Sequence, residues 1–239
     1  MGVLEDQGVE WVHHYAPLHY LPFIARARAL LCKPSLRKAG FAASHFRTKS
    51  SKHDVWRGFG KYAFLTLDPQ PRILRAKLAA GFPHMAIAIP AAAVEAATYS
   101  LCRFNVAMTR YLRRDGKPGF TESATNGRHY DDHQIPVART IADKNAMLNE
   151  HLANTMIEVL IHGDLAIPDN TVVYCYADPD ARTARRVLTA TQCPWTIKLA
   201  SPPGKYPRNN AYANSVDDFI QQALTNPDWR GNGLEFDRV

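Results

Sequence analysis

The stretch Met156-Ile157-Glu158-Val159-Leu160-Ile161-His162-Gly163-Asp164 sets one carboxylate inside an apolar, β-branched run. Ile157, Val159, Leu160 and Ile161 read as a strand buried on at least one face, closed by Gly163 and then Pro168. Side chains alternate along a strand, so Met156, Glu158, Leu160 and His162 share one face while Ile157, Val159 and Ile161 share the other. An ionised glutamate in such a run is costly unless it lines a cleft or meets a partner. Two readings follow: a strand-edge Glu that faces water, or a carboxylate held on a rigid strand and aimed into an active site.

The rest of the chain predicts strands and helices without regular βαβ alternation, an α+β pattern. Residues 9–16 read as a first strand ending near Pro17, and Leu21 to Leu31 as a helix with Pro22 in its first turn. Residues 33–54 show no periodicity and read as a loop, of a length that is usually functional or disordered. Lys61 to Leu67 reads as a strand, Ile73 to Ala80 as a helix ended by Gly81, and His84 to Ile89 as a strand. Ala91 to Thr98 is Ala-rich and helical, and the basic segment 103–114 continues as a helix until Asp115-Gly116. Ile141, Asn145, Leu148 and Leu152 mark one helix face. Asn170 to Tyr176 is then a strand paired with the Glu158 strand, Ala181 to Thr189 a basic helix and Thr196 to Leu199 a last strand. The composition changes at Ser201, which divides the chain into a domain over 1–200 and an extension over 201–239. That extension carries one helix, Val216 to Leu224, packed on the domain or partly loose.

A chain of 239 residues buries a real core, and no run of 18 apolar residues exists to span a membrane. The polar, acidic start predicts no signal peptide. Four widely spaced cysteines (Cys32, Cys102, Cys175 and Cys193) fit reduced thiols in a cytoplasmic protein. A net charge of +7 suggests a polyanionic partner. The charge sits in three groups: Arg47, Lys49, Lys52, Arg57 and Lys61; Arg103, Arg110, Arg113, Arg114 and Lys117; and Arg182, Arg185 and Arg186. The phosphate-loop, dinucleotide-loop, HExxH and GxSxG signatures are absent. His129-Tyr130-Asp131-Asp132-His133 is the best metal candidate, but Asn126-Gly127 just before it favours a solvent-facing loop, so no metal is assigned.

Three stretches in order carry a resemblance. His14-Tyr15-Ala16 followed by Leu21-Pro22-Phe23-Ile24 is similar to the His-x-Thr and Asn-Leu-Pro-x-Ile opening of the DarT family of NAD-dependent DNA ADP-ribosyltransferases. Glu158-Val159-Leu160-Ile161-His162 resembles the Glu-Phe-Leu-Val-His that holds that family's catalytic glutamate. Tyr62-Ala63-Phe64-Leu65-Thr66-Leu67 resembles, less closely, its Tyr-Val-Pro-Phe-Tyr-Phe strand. The likeness spans about residues 12–176. Ala16 stands where the family has Thr, Tyr20 where it has Asn, and Thr66 where a second Tyr falls.

The resemblance implies a central split, mostly antiparallel sheet with flanking helices, and NAD as substrate. It implies Glu158 and a loop arginine, Arg47 with Arg57 as runner-up, as catalytic residues. His14, Tyr15, Ala16, Tyr62 and Thr66 would contact NAD, and Arg57, Lys61, Arg110, Arg113 and Arg114 would contact single-stranded DNA or RNA. It also implies a toxin or phage-defence role with a partner antitoxin. Cleaving the bond to nicotinamide builds oxocarbenium-like charge on the ribose, which a fixed carboxylate stabilises as it develops. The alternatives are a non-catalytic basic nucleic-acid-binding module, an NAD-dependent RNA 2′-phosphotransferase and an NAD glycohydrolase.

Overall fold

A computed structural model describes residues 2–41, 59–69, 71–102, 110–112, 118–120, 137–151 and 157–230. The chain opens with helix α1 (Val3–Asp6) and strand β1 (Trp11–Pro17). Helix α2 (Leu21–Ala27) stops short of the predicted Leu31 because Arg28 turns left-handed at φ 48°. Asp169 and the Gln192 carbonyl, at 2.9 and 2.8 Å, hold the Arg28 guanidinium there. Ala29–Leu30 then form β2, and Lys33–Lys38 form α3 at the start of the segment predicted as loop. Next come β3 (Tyr62–Thr66), α4 (Arg72–Ala79) and β4 (His84–Pro90). Gly81 ends α4 at φ 84°, where a side chain would also meet the Pro207 carbonyl oxygen at 2.7 Å.

The next stretch departs most from the sequence pattern. Helix α5 covers only Ala91–Glu95, and Tyr99–Cys102 is a fully buried strand, β5. At Arg110–Leu112 the predicted helix gives way to a strand, β6, paired with β7 (Pro118–Phe120). The sequence between them holds Asp115-Gly116, a hairpin-turn signal. After β8 (Val137–Ala138), helix α6 (Ile141–His151) turns Lys144, Met147 and Leu148 inward and leaves Ile141 69% exposed, so of the predicted face Leu148 is buried and Ile141 is not, while Leu152 lies outside the described residues. The Lys144 ammonium sits 3.5 Å from the centroid of the Tyr99 ring, which lets a lysine occupy a buried position.

The last third contains β9 (Glu158–His162), β10 (Leu165–Ala166), β11 (Val172–Cys175), α7 (Asp178–Ala190), β12 (Thr196–Leu199) and α8 (Asn210–Thr225). Eight strands form one sheet in the order β12-β11-β4-β1-β3-β9-β5-β8, antiparallel at every step except β11–β12. The predicted pairing of the Glu158 strand with the strand after it is therefore wrong: β9 lies between β3 and β5, and β11 lies between β4 and β12. Gly163, at φ 102°, follows β9, and Leu165–Ala166 pair with β2.

The main core lies on one face of the sheet, where Val12, Ile87, Ile89, Leu101, Val159 and Ile161 meet Leu4, Leu21, Leu148, Val187, Val216 and Ile220 from the helices. Helix α8 thus contributes to the same core as β1 and β9. The segment before it is tied down by Asp180, 1% exposed in the first turn of α7, which accepts hydrogen bonds from Tyr206 at 2.7 Å and Arg208 at 2.8 Å. The four cysteines are buried and form no disulfide. Among the described residues no helix is long and apolar enough to cross a membrane.

Candidate active site

The ladder puts the acid of the apolar run at the centre of a row. Glu158 lies opposite Thr66 on β3 and opposite Cys102 on β5, and Thr66 lies opposite His13 on β1. Directly paired residues share a face, so His13, Thr66, Glu158 and Cys102 stand side by side on the face away from the main core. Tyr62, Phe64, Ser100, Leu160 and His162 share it, while Val159 and Ile161 pack the other face. Glu158 is half-buried.

Around the acid the polar groups are ordered. The Thr66 hydroxyl oxygen accepts from the Asp68 amide at 3.1 Å, which leaves its own proton to donate. One ladder step further along β9 from Leu160, His162 shares a hydrogen bond of 2.8 Å with the Ser100 hydroxyl and stands edge-on to the Tyr62 ring, centroids 4.6 Å apart. His162 is exposed at the strand end, and partial desolvation, then the cations Arg139, Lys144 and Lys61, lower its imidazole pKa from the ordinary value.

Strands β1 and β3 pair only at His13 and Thr66. Where they part, the His14 ring bridges them: its Nδ1–H donates to the Phe64 carbonyl at 2.9 Å, because a carbonyl can only accept. Nε2 is then the acceptor. Burial lowers the His14 pKa and the Phe64 bond partly restores it. By alternation His14 and Ala16 start from the face opposite Glu158, whereas His13 and Tyr15 share its face. Tyr15 donates its hydroxyl to the Asp68 carbonyl at 2.6 Å and packs against Leu74, Leu78, Ala86 and Tyr176. Burial raises its pKa, so it stays protonated. Ala16, 4% exposed, belongs to the core opposite Met85 and has no side-chain hydroxyl to offer.

Of the remaining candidates, Lys61 is exposed just before β3 and Arg110 begins β6. Arg47, Arg57, Arg113 and Arg114 lie outside the described residues, as does the histidine-aspartate stretch 129–133. No group of three potential metal ligands occurs among the described residues. The third basic group is largely committed to α7 and α8: Arg182 pairs with Asp178, and Arg186 lies 3.7 Å from Asp217.

One positioning device had no signal in the sequence. Helix α3 has no cap of its own, and Asp164, just past β9, supplies one by accepting from the Cys32 amide and the Ser35 hydroxyl, both at 2.7 Å. Burial opposes ionisation of Asp164, but the Ser35 and Cys32 hydrogen bonds outweigh it and hold the carboxyl below its usual range. At the other end of α3, Arg230 donates through Nε to the Ala39 carbonyl at 3.0 Å and lies 5.3 Å from the centroid of the Phe41 ring.

The fold is ADP-ribosyltransferase-like: solved structures it is similar to include those of DarT from Thermus sp. 2.9. The complex of that protein with ADP-ribosylated ssDNA superimposes with a TM-score of 0.53 at 10% identity, covering 81% of this chain and 94% of that one. The complex with NAD+ gives 0.52 at 11% identity over 80% and 96%, and the complex with carba-NAD+ gives 0.51 at 10% over 79% and 95%. At such identities the likeness is one of fold. No protein-family model matches the chain, and no curated protein matches it in sequence.

Proposed function

We propose that this chain is an NAD-dependent ADP-ribosyltransferase that moves ADP-ribose from NAD to a base in single-stranded nucleic acid. The observation that carries the reading is Glu158, half-buried on a central strand beside Thr66, in a fold shared with a protein solved with NAD+ and with ADP-ribosylated ssDNA.

The chemistry follows from what these residues do. As the bond from ribose to nicotinamide breaks, positive charge grows on the sugar, and a carboxylate fixed on a strand stabilises it without reorganising. Glu158 is that carboxylate, and it also takes the proton released when the base nitrogen attacks. His14, its Nδ1 committed to Phe64, keeps Nε2 to accept from a ribose hydroxyl at the split between β1 and β3. Thr66 and Tyr62 line the sugar and nicotinamide, with Tyr15 and Ala16 contributing backbone. Arg47 holds the diphosphate or orients the base, as a guanidinium fork does well. Arg57, Lys61, Arg110, Arg113 and Arg114 steer the phosphates of the acceptor strand. DNA is the first acceptor to try and RNA the second. A toxin or defence role, with an antitoxin that reverses or blocks the mark, completes the proposal.

The test is intact-mass spectrometry of DNA and RNA oligonucleotides after incubation with NAD. One ADP-ribose adduct per modified base is expected with the wild type and none with Glu158→Gln. An unmodified oligonucleotide, or an adduct that persists in Glu158→Gln, overturns the reading. Consumption of NAD with no adduct assigns a glycohydrolase instead.

A further inference from the structure

The mechanism above leaves one buried group of the same row unused. His13 is 9% exposed, and its Nδ1 is buried with no hydrogen-bond partner among the described residues. A buried polar nitrogen without a partner is costly, so such groups usually face a ligand or a water. Its position says which. His13 pairs with Thr66, which pairs with Glu158, so the imidazole and the carboxylate stand on one face two strand spacings apart, about 10 Å. The ring is held firmly: it is on the central strand β1, between β4 and β3, and lies nearly parallel to Tyr15, 16° between planes and centroids 6.3 Å apart.

We infer that His13 is a binding residue for NAD, presenting Nδ1 to a neutral hydrogen-bonding group of the nicotinamide riboside half, and so selecting the dinucleotide's nicotinamide end. This rests on the reading of the chain as an NAD-dependent transferase. Burial lowers the His13 pKa to about 4, only partly opposed by Asp68, so the ring is neutral at working pH. A neutral ring suits a carboxamide or a hydroxyl and does not suit the diphosphate, which calls for a cation.

Asparagine places a polar atom near the position of Nδ1, and glutamine places one near Nε2. Their contrast with alanine tests the geometry. With saturating oligonucleotide, His13→Ala is expected to raise the KM for NAD about tenfold, with kcat changed less than about threefold, as for the loss of one hydrogen bond made equally in ground and transition states. His13→Asn restores the KM to within about threefold, and His13→Gln does not. The nicotinic acid analogue of NAD, a carboxylate in place of the carboxamide, locates the contact. If the carboxamide is the partner, the wild type disfavours the analogue and His13→Ala narrows that preference; if a ribose hydroxyl is, the preference is unchanged while the KM effect remains.

An unaltered KM in a folded, active His13→Ala overturns the inference. So does a loss of thermal stability with no change in KM, which marks a structural histidine. If His13→Ala does not fold, His13→Asn and His13→Gln decide: equal KM values in the two overturn it. A wild type that forms no adduct refutes the transferase reading instead, and the two failures are told apart by the unmutated protein.

Discussion

The two halves of the sheet are built to different rules, and they meet at one residue pair. On one side β11, β4 and β1 are covered on both faces, with β12 an exposed edge strand beside them: Ile87 and Val173 point into the main core, while Ala86 and Tyr15 lie under Leu74, Leu78 and Tyr206. Every residue of β4 before Pro90 is buried. On the other side β3, β9 and β5 bury one face in the same core, yet the opposite face carries Thr66, Glu158, Ser100 and His162 beside only a small apolar cluster at Cys102 and Leu160. One half is spent on stability and the other keeps polar groups poised, at a cost the first half offsets. The single His13–Thr66 pairing lets the second half differ without disturbing the first.

Substitutions separate the halves. The largest effect is expected from Glu158→Gln: transfer to an oligonucleotide is abolished, because the carboxylate that stabilises the developing charge is gone. Its thermal midpoint stays within a few degrees of the wild type. A variant that unfolds would make Glu158 part of the scaffold and break the contrast. Ile87→Ala, at a position with 0% exposure, should cost about 2–5 kcal/mol in urea unfolding. Any activity that remains in it should have an unchanged KM.

Acid reads the closed half. His84, buried in β4 and lowered to about 4 mainly by burial, and His13, lowered to the same level, take up protons in the unfolded chain before they do so in the fold. The unfolded state therefore binds more protons between about pH 4 and 6.5, and stability must rise with pH across that window. Thermal melts at half-unit pH steps check it, and His84→Asn should flatten the slope. Smaller again, Asp164→Asn should cost about 0.5–1 kcal/mol of stability by weakening the α3 cap. Its folded pKa is lowered, so that contribution is full above the ordinary carboxylate range and fades as pH falls. The smallest effect belongs to Arg186→Ala, below about 0.5 kcal/mol, because its pairing with Asp217 is exposed.

The halves also differ in how legible they were. Strands such as His84–Pro90 and Val172–Cys175 announce themselves by β-branched and apolar runs bounded by proline or asparagine, and Glu158 stood out because a charge in such a run needs a reason. Strand Tyr99–Cys102 was hidden behind the helix-forming alanines before it. Which strand pairs with which is a long-range matter, so the neighbours of β9 and β11 could not be read locally. The same holds for the two adjacent histidines. Alternation says that His13 and His14 differ in face, but only the ladder says which one stands with Glu158.

The fastening of α3 has a temporal side. Its leading end is fixed by residue 164 and its trailing end by residue 230, while Val216 and Ile220 close the core. Both fastenings come later in the chain than α3 itself, so in a growing chain the helix is made well before either of its anchors exists.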